Sequence, residues 1–383
     1  MSLMSGGVFL SRSICAPDLA NVKYDIPDRS QRAVDRTYMT DPSTSRDSHA
    51  PRALVLAAPV AALLYPLVLA ALFHAGQMTG AMRAVAMIAA LALVFAVPGI
   101  AFAVVRRTGV NGNPSVAVHR ARVVAHLAFA APPLFTFIGV LTYMAGLANG
   151  DYWAWAIIWI MVIVWLSRDG TAPVDLRSAP KWLAPVHGTV ALTVIIGFVL
   201  LHFFNHLTGL WSAETHIAVM KVLRGWYRNG FVEPILVALM LFMAGSGFVL
   251  LRVRLTLGSD FFGTLQTATA GYLLFFIPGH MNSVFIYQRW FAGKDTDFWF
   301  ASGGTAGLLG DGWSVRLIPH YLLGVWALTT HAACGLRHIM LAHGVARSTA
   351  SRVAIAISVT GAIAATATIL ALCRVHLGTT AGN

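Results

Sequence analysis

Histidines recur inside apolar stretches of this chain, and their placement limits what it can fold into more than any other feature. Requiring about 20 apolar residues per crossing marks nine stretches, near 53–74, 81–105, 123–147, 152–167, 185–210, 231–254, 264–288, 317–342 and 353–373. Three of the later five carry histidines at membrane depth: His202 and His206 on one helical face, then His280, then His331 and His338. An ionisable side chain inside a bilayer is costly, so it pairs, lines a cavity or holds a cofactor. Several at similar depths call for one shared reason, and a haem iron is the simplest.

Composition agrees with a membrane chain. Mean hydropathy is +0.70, and only 11% of residues are charged, which excludes an ordinary soluble domain. The formal net charge of +12 sits in short loops between apolar stretches. There it reads as a topology signal and a contact for anionic lipid rather than for nucleic acid. Cys15, Cys334 and Cys373 are isolated and point to neither a disulfide framework nor an iron–sulfur site.

The expected fold is all-α and transmembrane, in four parts. Residues 1–52 form a polar tail with six Asp and no central apolar run, which argues against a cleaved secretory signal. Residues 53–167 form a four-helix unit in which Pro98, Pro132 and Pro133 are candidate kinks. The Pro-containing segment 168–184 is a linker, and 185–375 form a five-helix bundle. Arg106, Arg107, Arg120, Arg122, Arg168, Arg177, Lys181, Arg252, Arg254, Arg347 and Arg352 outnumber the basic residues of the opposite loops. By that bias the N-terminus is inside and the C-terminus outside.

Orientation sorts the histidines by depth. His202, His206 and His280 fall toward the outer side and His331 toward the inner side. One outer pair, His280 with either His202 or His206, can bridge an iron as neutral imidazoles. Two axial histidines leave no open iron position, which favours electron transfer. One b haem is expected, with a second on the axial candidate His331 as the alternative. Arg337 and His338, near the inner boundary, are candidates for a haem propionate or for phospholipid, while His119, His126 and His187 read as structural. Glu214 and Glu233, beside Arg224, Trp226, Arg228 and Tyr227 at the outer end, are candidates for a quinone pocket, which needs a proton acceptor and a hydrogen-bond donor. Asn282 and Gln288 are weaker ones.

These residues resemble the membrane cytochrome b subunits of succinate dehydrogenases and fumarate reductases, over roughly residues 182–375. The resemblance rests on Pro185-Val186-His187 through Gly197-Phe198 to His202 and His206, the following Ser212-Ala213-Glu214-Thr215-His216, Thr269-Ala270-Gly271 before His280, and His331 ahead of Gly335-Leu336-Arg337-His338. It implies a haem b anchor in the bacterial inner membrane. Such an anchor passes electrons between quinone and a docked flavoprotein and iron–sulfur pair, which holds the dicarboxylate chemistry. The basic segments Arg168–Lys181 and Arg252–Arg254, with the polar tail, are the expected docking face. One departure stands out. The family's second helix carries a histidine where this chain reads Phe242-Met243-Ala244-Gly245-Ser246-Gly247-Phe248, so His331 lacks its usual partner. A haem-free scaffold or accessory subunit, or a small-solute transporter, is the alternative. The unequal halves disfavour the transporter.

Overall fold

Two of the apolar stretches are broken, and proline marks both breaks. The computed structural model describes residues 52–108, 115–168, 178–256 and 259–377, in which every regular element is helical. Helix α1 (Arg52–Leu63) is followed after one residue by α2 (Tyr65–Gln77), bent by 48°. Helix α4 (Val116–Phe129) meets α5 (Ala131–Met144) at Ala130 with a 69° bend. Pro66 sits in the first turn of α2, and Pro132 and Pro133 in that of α5. A missing N–H is tolerated there, but a helix running on from upstream would lose hydrogen bonds. Pro98, by contrast, lies within the uninterrupted α3 (Ala81–Arg107). Helix α6 (Gly150–Leu166) is 17 residues long.

The second group begins with α7 (Leu183–Val194), a π-helical turn at Ile195–Val199 and α8 (Leu200–Thr208), which together make one continuous apolar span. Helix α9 (Ala213–Tyr227) lies between this span and α10 (Val232–Arg254), and Ser212 caps its start by accepting from Thr215 N at 3.0 Å. Helix α11 (Phe261–Met281) is capped by Asp260 and passes into a π-helical segment, Asn282–Phe291. The short α12 (Phe298–Ala301) precedes α13 (Leu317–Ala342) and α14 (Arg347–Leu372).

By length and composition four segments can cross a membrane: α3, α7–α8, α10 and α14. The number rises to six if each bent pair is one crossing. Helices α11 and α13 fall outside that group because polar residues dilute them: Thr264, Gln266, Thr267 and Thr269 on one, His320, Thr330, His331 and Arg337 on the other. Below, the two ends of the second group are named for Asp260 and for Asp295.

The core lies where the two groups of helices meet. Tyr65, Phe135, Trp155 and Trp159 are buried in one continuous cluster with Phe129, Tyr272, Leu317 and Ile318. Edge-to-face contacts join Tyr65 to Phe135 and Phe129 to Tyr272. Helices α13 and α14 pack closely along a buried face of Ala350, Ala354, Gly361 and Ala365, small residues that let two backbones approach. A buried ion pair also crosses between the groups. Arg316 Nη1 donates to Asp151 Oδ2 at 2.8 Å, and its guanidinium lies 4.6 Å from the Phe135 ring centroid.

Candidate functional site

Five histidines from four helices gather toward the Asp295 end: His202 and His206 on α8, His216 on α9, His280 on α11 and His320 on α13. His202 and His206 share a face, and their rings meet edge to face with centroids 4.6 Å apart. His202 faces His280 across the helices at 6.1 Å, ring planes crossing at 70°. His206 lies 5.3 Å from His216. Phe276 stacks on His280, 5.9 Å away with planes 13° apart, and lies 4.8 Å from His320. Both candidates on α8 are therefore at the cluster, and His202 is the one opposite His280.

Local structure sets these positions. The π-helical turn at Ile195–Val199 precedes His202 by one short step, and the π-helical segment begins two residues after His280. Each rotates the residues beyond it relative to an α-helical register, and such turns often mark functional sites. Asn205 Nδ2 lies 3.2 Å from His216 Nε2, so this nitrogen accepts. His216, outside the spanning segments, is pushed down to about 4 by burial first and then by Arg224, against the pull of Asp297. It is a neutral imidazole at physiological pH.

The cluster leaves ligand capacity unused. His206 Nδ1 and His320 Nδ1 are buried with no hydrogen-bond partner, and so is His216 Nδ1, which carries the proton of that ring. A buried polar nitrogen without a partner is costly. No three His, Cys, Asp or Glu side chains among the described residues converge as a bare metal ion would require. Two imidazoles do suit a planar iron macrocycle. With metal–nitrogen bonds of about 2 Å and a ring half-width of about 1 Å, two axial rings sit about 6 Å apart. The His202–His280 separation of 6.1 Å matches that spacing.

An ionic network closes the Asp295 end. Asp295 receives Arg224 at 2.7 Å and Arg228 at 2.6 Å, while Arg289 grips both oxygens of Glu233, at 2.7 and 3.2 Å. Gln288 Nε2 donates to the Asp295 carbonyl at 3.0 Å. Burial alone would raise the Asp295 carboxyl, but the hydrogen bond from Arg228 and the charges of Arg224 and Arg228 outweigh it and hold it below the usual range. Three guanidinium groups face two carboxylates, leaving one positive charge in excess. Tyr227 stands edge-on to Phe198 at 5.1 Å, and burial raises its hydroxyl pKa against the pull of Arg224. Glu214 is exposed in the first turn of α9, its carboxyl held low by its own backbone N–H and by Ser212. Asn282 opens the π-helical segment.

The remaining candidates lie apart from this cluster. Arg337 is buried toward the Asp260 end, where it donates to Asp260 at 3.1 Å and to Ser351 at 3.1 Å and covers the Phe262 ring. His338 Nδ1 lies 2.9 Å from the Cys334 carbonyl. His331 Nδ1 lies 3.1 Å from the Gln266 carbonyl, and His187 Nδ1 lies 2.7 Å from Ser246 Oγ. His126 is buried with Nδ1 2.7 Å from the Arg122 carbonyl, against Gly271 of α11. Of the expected docking segments, the polar tail and residues 169–177 lie outside the described residues. Comparison with protein-family models, curated proteins and solved structures finds no match.

Sequence reasoning left His320 out of the histidine set and read His216 only as part of a loop. His320 follows Pro319 near the start of an apolar stretch, and the polar pattern of α9 hides His216. Only the folding of α9 and α13 onto α8 and α11 brings these two rings to the others.

Proposed function

We propose that this chain is a haem b membrane subunit that carries electrons between membrane quinone and a docked flavoprotein and iron–sulfur pair, in a complex of the succinate dehydrogenase and fumarate reductase kind. In this reading its nine apolar stretches all cross a bacterial inner membrane, with the N-terminus inside and the Asp295 end outside. The observation that carries it is the facing of His202 and His280 with ring centroids 6.1 Å apart, inside a buried cluster of five histidines. Bound there, haem supplies a one-electron iron couple.

The chain's own residues do the rest. His202 and His280 would hold the haem as neutral imidazoles, and two protein ligands would favour electron transfer over oxygen chemistry. His206, edge-on to His202, and Phe276, parallel to His280 with centroids 5.9 Å apart, pack beside the two rings. The spare positive charge among Arg224, Arg228 and Arg289 suits propionate carboxylates. Oxidising a quinol releases two electrons and two protons. Glu233 and Tyr227 at the outer end would take up those protons.

The test is spectroscopic. The full chain purified from membranes should show a reduced-minus-oxidised b-type spectrum and a pyridine haemochrome. His280→Ala should lose the outer haem, whereas His119→Ala should retain it. A parent protein with no haem would overturn the proposal. So would a His280→Ala variant matching the parent in intensity and potential.

A further inference from the structure

We propose that the cleft between the first helix group and the start of α13 is a second binding position for a quinone ring, apart from the Glu233 and Tyr227 candidates. The ligand class rests on the proposed function above. The site itself rests on its walls, most of which lie outside residues 182–375.

Two cavities adjoin at the Asp295 end, where α2 and α5 finish and α6 and α13 begin. Their volumes are about 230 and 300 Å³, and Tyr152, Gly312 and Arg316 line both. Each is several times the roughly 30 Å³ share of one water. They stand near the lower end of ordinary small-molecule sites, roughly 300–1,000 Å³. Phe73 and Phe135 add rings to the first cavity and Trp313 to the second, so a flat ligand meets aromatic walls. The polar end is the buried pair of Arg316 and Asp151. A Cβ at Gly139 would run into the Arg316 guanidinium and lie 3.6 Å from Asp151 Oδ2, so α5 is bare where the pair sits.

The chemistry of the pair narrows the ligand. Its two charges cancel, which favours a neutral molecule over an anion or a cation. Arg316 uses Nη1 on Asp151 and Nε on the Trp313 carbonyl, at 2.8 and 2.9 Å. Its Nη2 makes no hydrogen bond among the described residues and is open to the cavities, so it can donate to a carbonyl oxygen. Asp151 Oδ1 receives the Tyr152 N–H at 3.1 Å and has capacity to accept from a hydroxyl. The Tyr152 hydroxyl can do either. A ring whose oxygens change between carbonyl and hydroxyl finds partners here in both states, which is the chemistry of a quinone and its quinol. The cleft also adjoins the histidine cluster. His320 follows Arg316 by one turn of α13, about 6 Å, and its ring lies 4.8 Å from Phe276, which is stacked on His280.

The experiment is photolabelling of the purified full-length protein with a tail-free azidobenzoquinone, the labelled peptides being identified by mass spectrometry. Label should appear within 149–153 and 311–316. Duroquinone should displace it, whereas durene, the same methylated ring without oxygens, should not. Gly312→Phe should suppress this label. The Gly312 backbone is outside the left-handed region and an added Cβ would meet only Phe73, at 3.9 Å, so the new side chain fills the cleft without backbone strain. Tyr152→Phe should raise the duroquinone concentration needed for displacement by about 2–10-fold, the loss of one hydrogen bond. Near-UV circular dichroism matching the parent's reports that each variant has folded. Label confined to peptides around Glu233 and Tyr227 would overturn the inference. So would undiminished label at 149–153 in Gly312→Phe, or displacement by durene as effective as by duroquinone. A protein without haem that still gives the full pattern would remove the proposed electron-transfer role and leave this site standing.

Discussion

Gly324 on α13 is the packing position that most directly controls the histidine cluster. A Cβ there would sit 2.7 Å from Phe276 Cδ2 and nearer still to Cε2 and Cζ. Carbon contacts settle at about 3.5 Å or more, so the Phe276 ring would have to retreat by roughly 1 Å. That ring is stacked on His280 and packed beside His320, so it cannot move without disturbing both. Overpacking of this kind costs about 1–3 kcal/mol. The same change at an unhindered helix position gains up to about 1 kcal/mol. At Gly99 on α3 an added Cβ would meet nothing within 4 Å, so this position supplies that reference. Gly324→Ala should therefore be less stable than the parent or at best equal to it, while Gly99→Ala should be as stable or more so. Both can be followed by thermal unfolding in detergent alongside the haem spectrum. Only Gly324→Ala should broaden or shift the spectrum. Adding Phe276→Leu should cost less in the Gly324→Ala background than alone, because the smaller side chain relieves the clash. If Gly324→Ala gained stability like Gly99→Ala and left the spectrum untouched, the link from α13 packing to His280 would be refuted.

Three further outcomes follow from other contacts. Asp151→Ala strands a buried guanidinium and should cost about 3–5 kcal/mol, whereas Asp151→Leu with Arg316→Met should recover most of it; equal losses in the two, by denaturation midpoint, would rule out the ion pair as the cause. Asp260 is pulled up by burial but held below the usual carboxylate range by the Gly263 N–H and by Arg337 and Arg347. Its stabilisation is thus present above the unfolded value of about 3.9 and lost as pH falls through the lower folded value. Asp260→Asn should accordingly flatten the loss of stability below about pH 4, and an unchanged acid limb would count against it. On α8, His202→Ala should abolish the outer low-spin spectrum while His206→Ala only moves its midpoint potential, and redox titration would reveal the reverse assignment.

How far the fold could be read depended on whether its cause was local. The stretch at 317–342 coincides with α13, and 231–254 lies within one residue of α10, because apolar runs bounded by charged loops define both. The stretch near 123–147 starts seven residues after α4 does, since His119, Arg120 and Arg122 look like a loop until they fold against neighbours. The break at Leu64 left little trace beyond Pro66, and the π-helical turns beside His202 and His280 left none. The histidines on one helical face were legible from spacing alone. The serine that orients His187 was not, because it lies 59 residues away on another helix.

The bond between Asp151 and Arg316 also bears on how the chain is made. The two residues are 165 positions apart, so at about 5–20 residues per second the carboxylate waits roughly 8–30 s for its cation to be synthesised. During that interval α6 has an unpaired acid in its first turn, at the edge of an otherwise apolar segment. The earlier helices cannot reach their final arrangement until the start of α13 arrives. This contact between the two groups therefore forms only after the first group has been made.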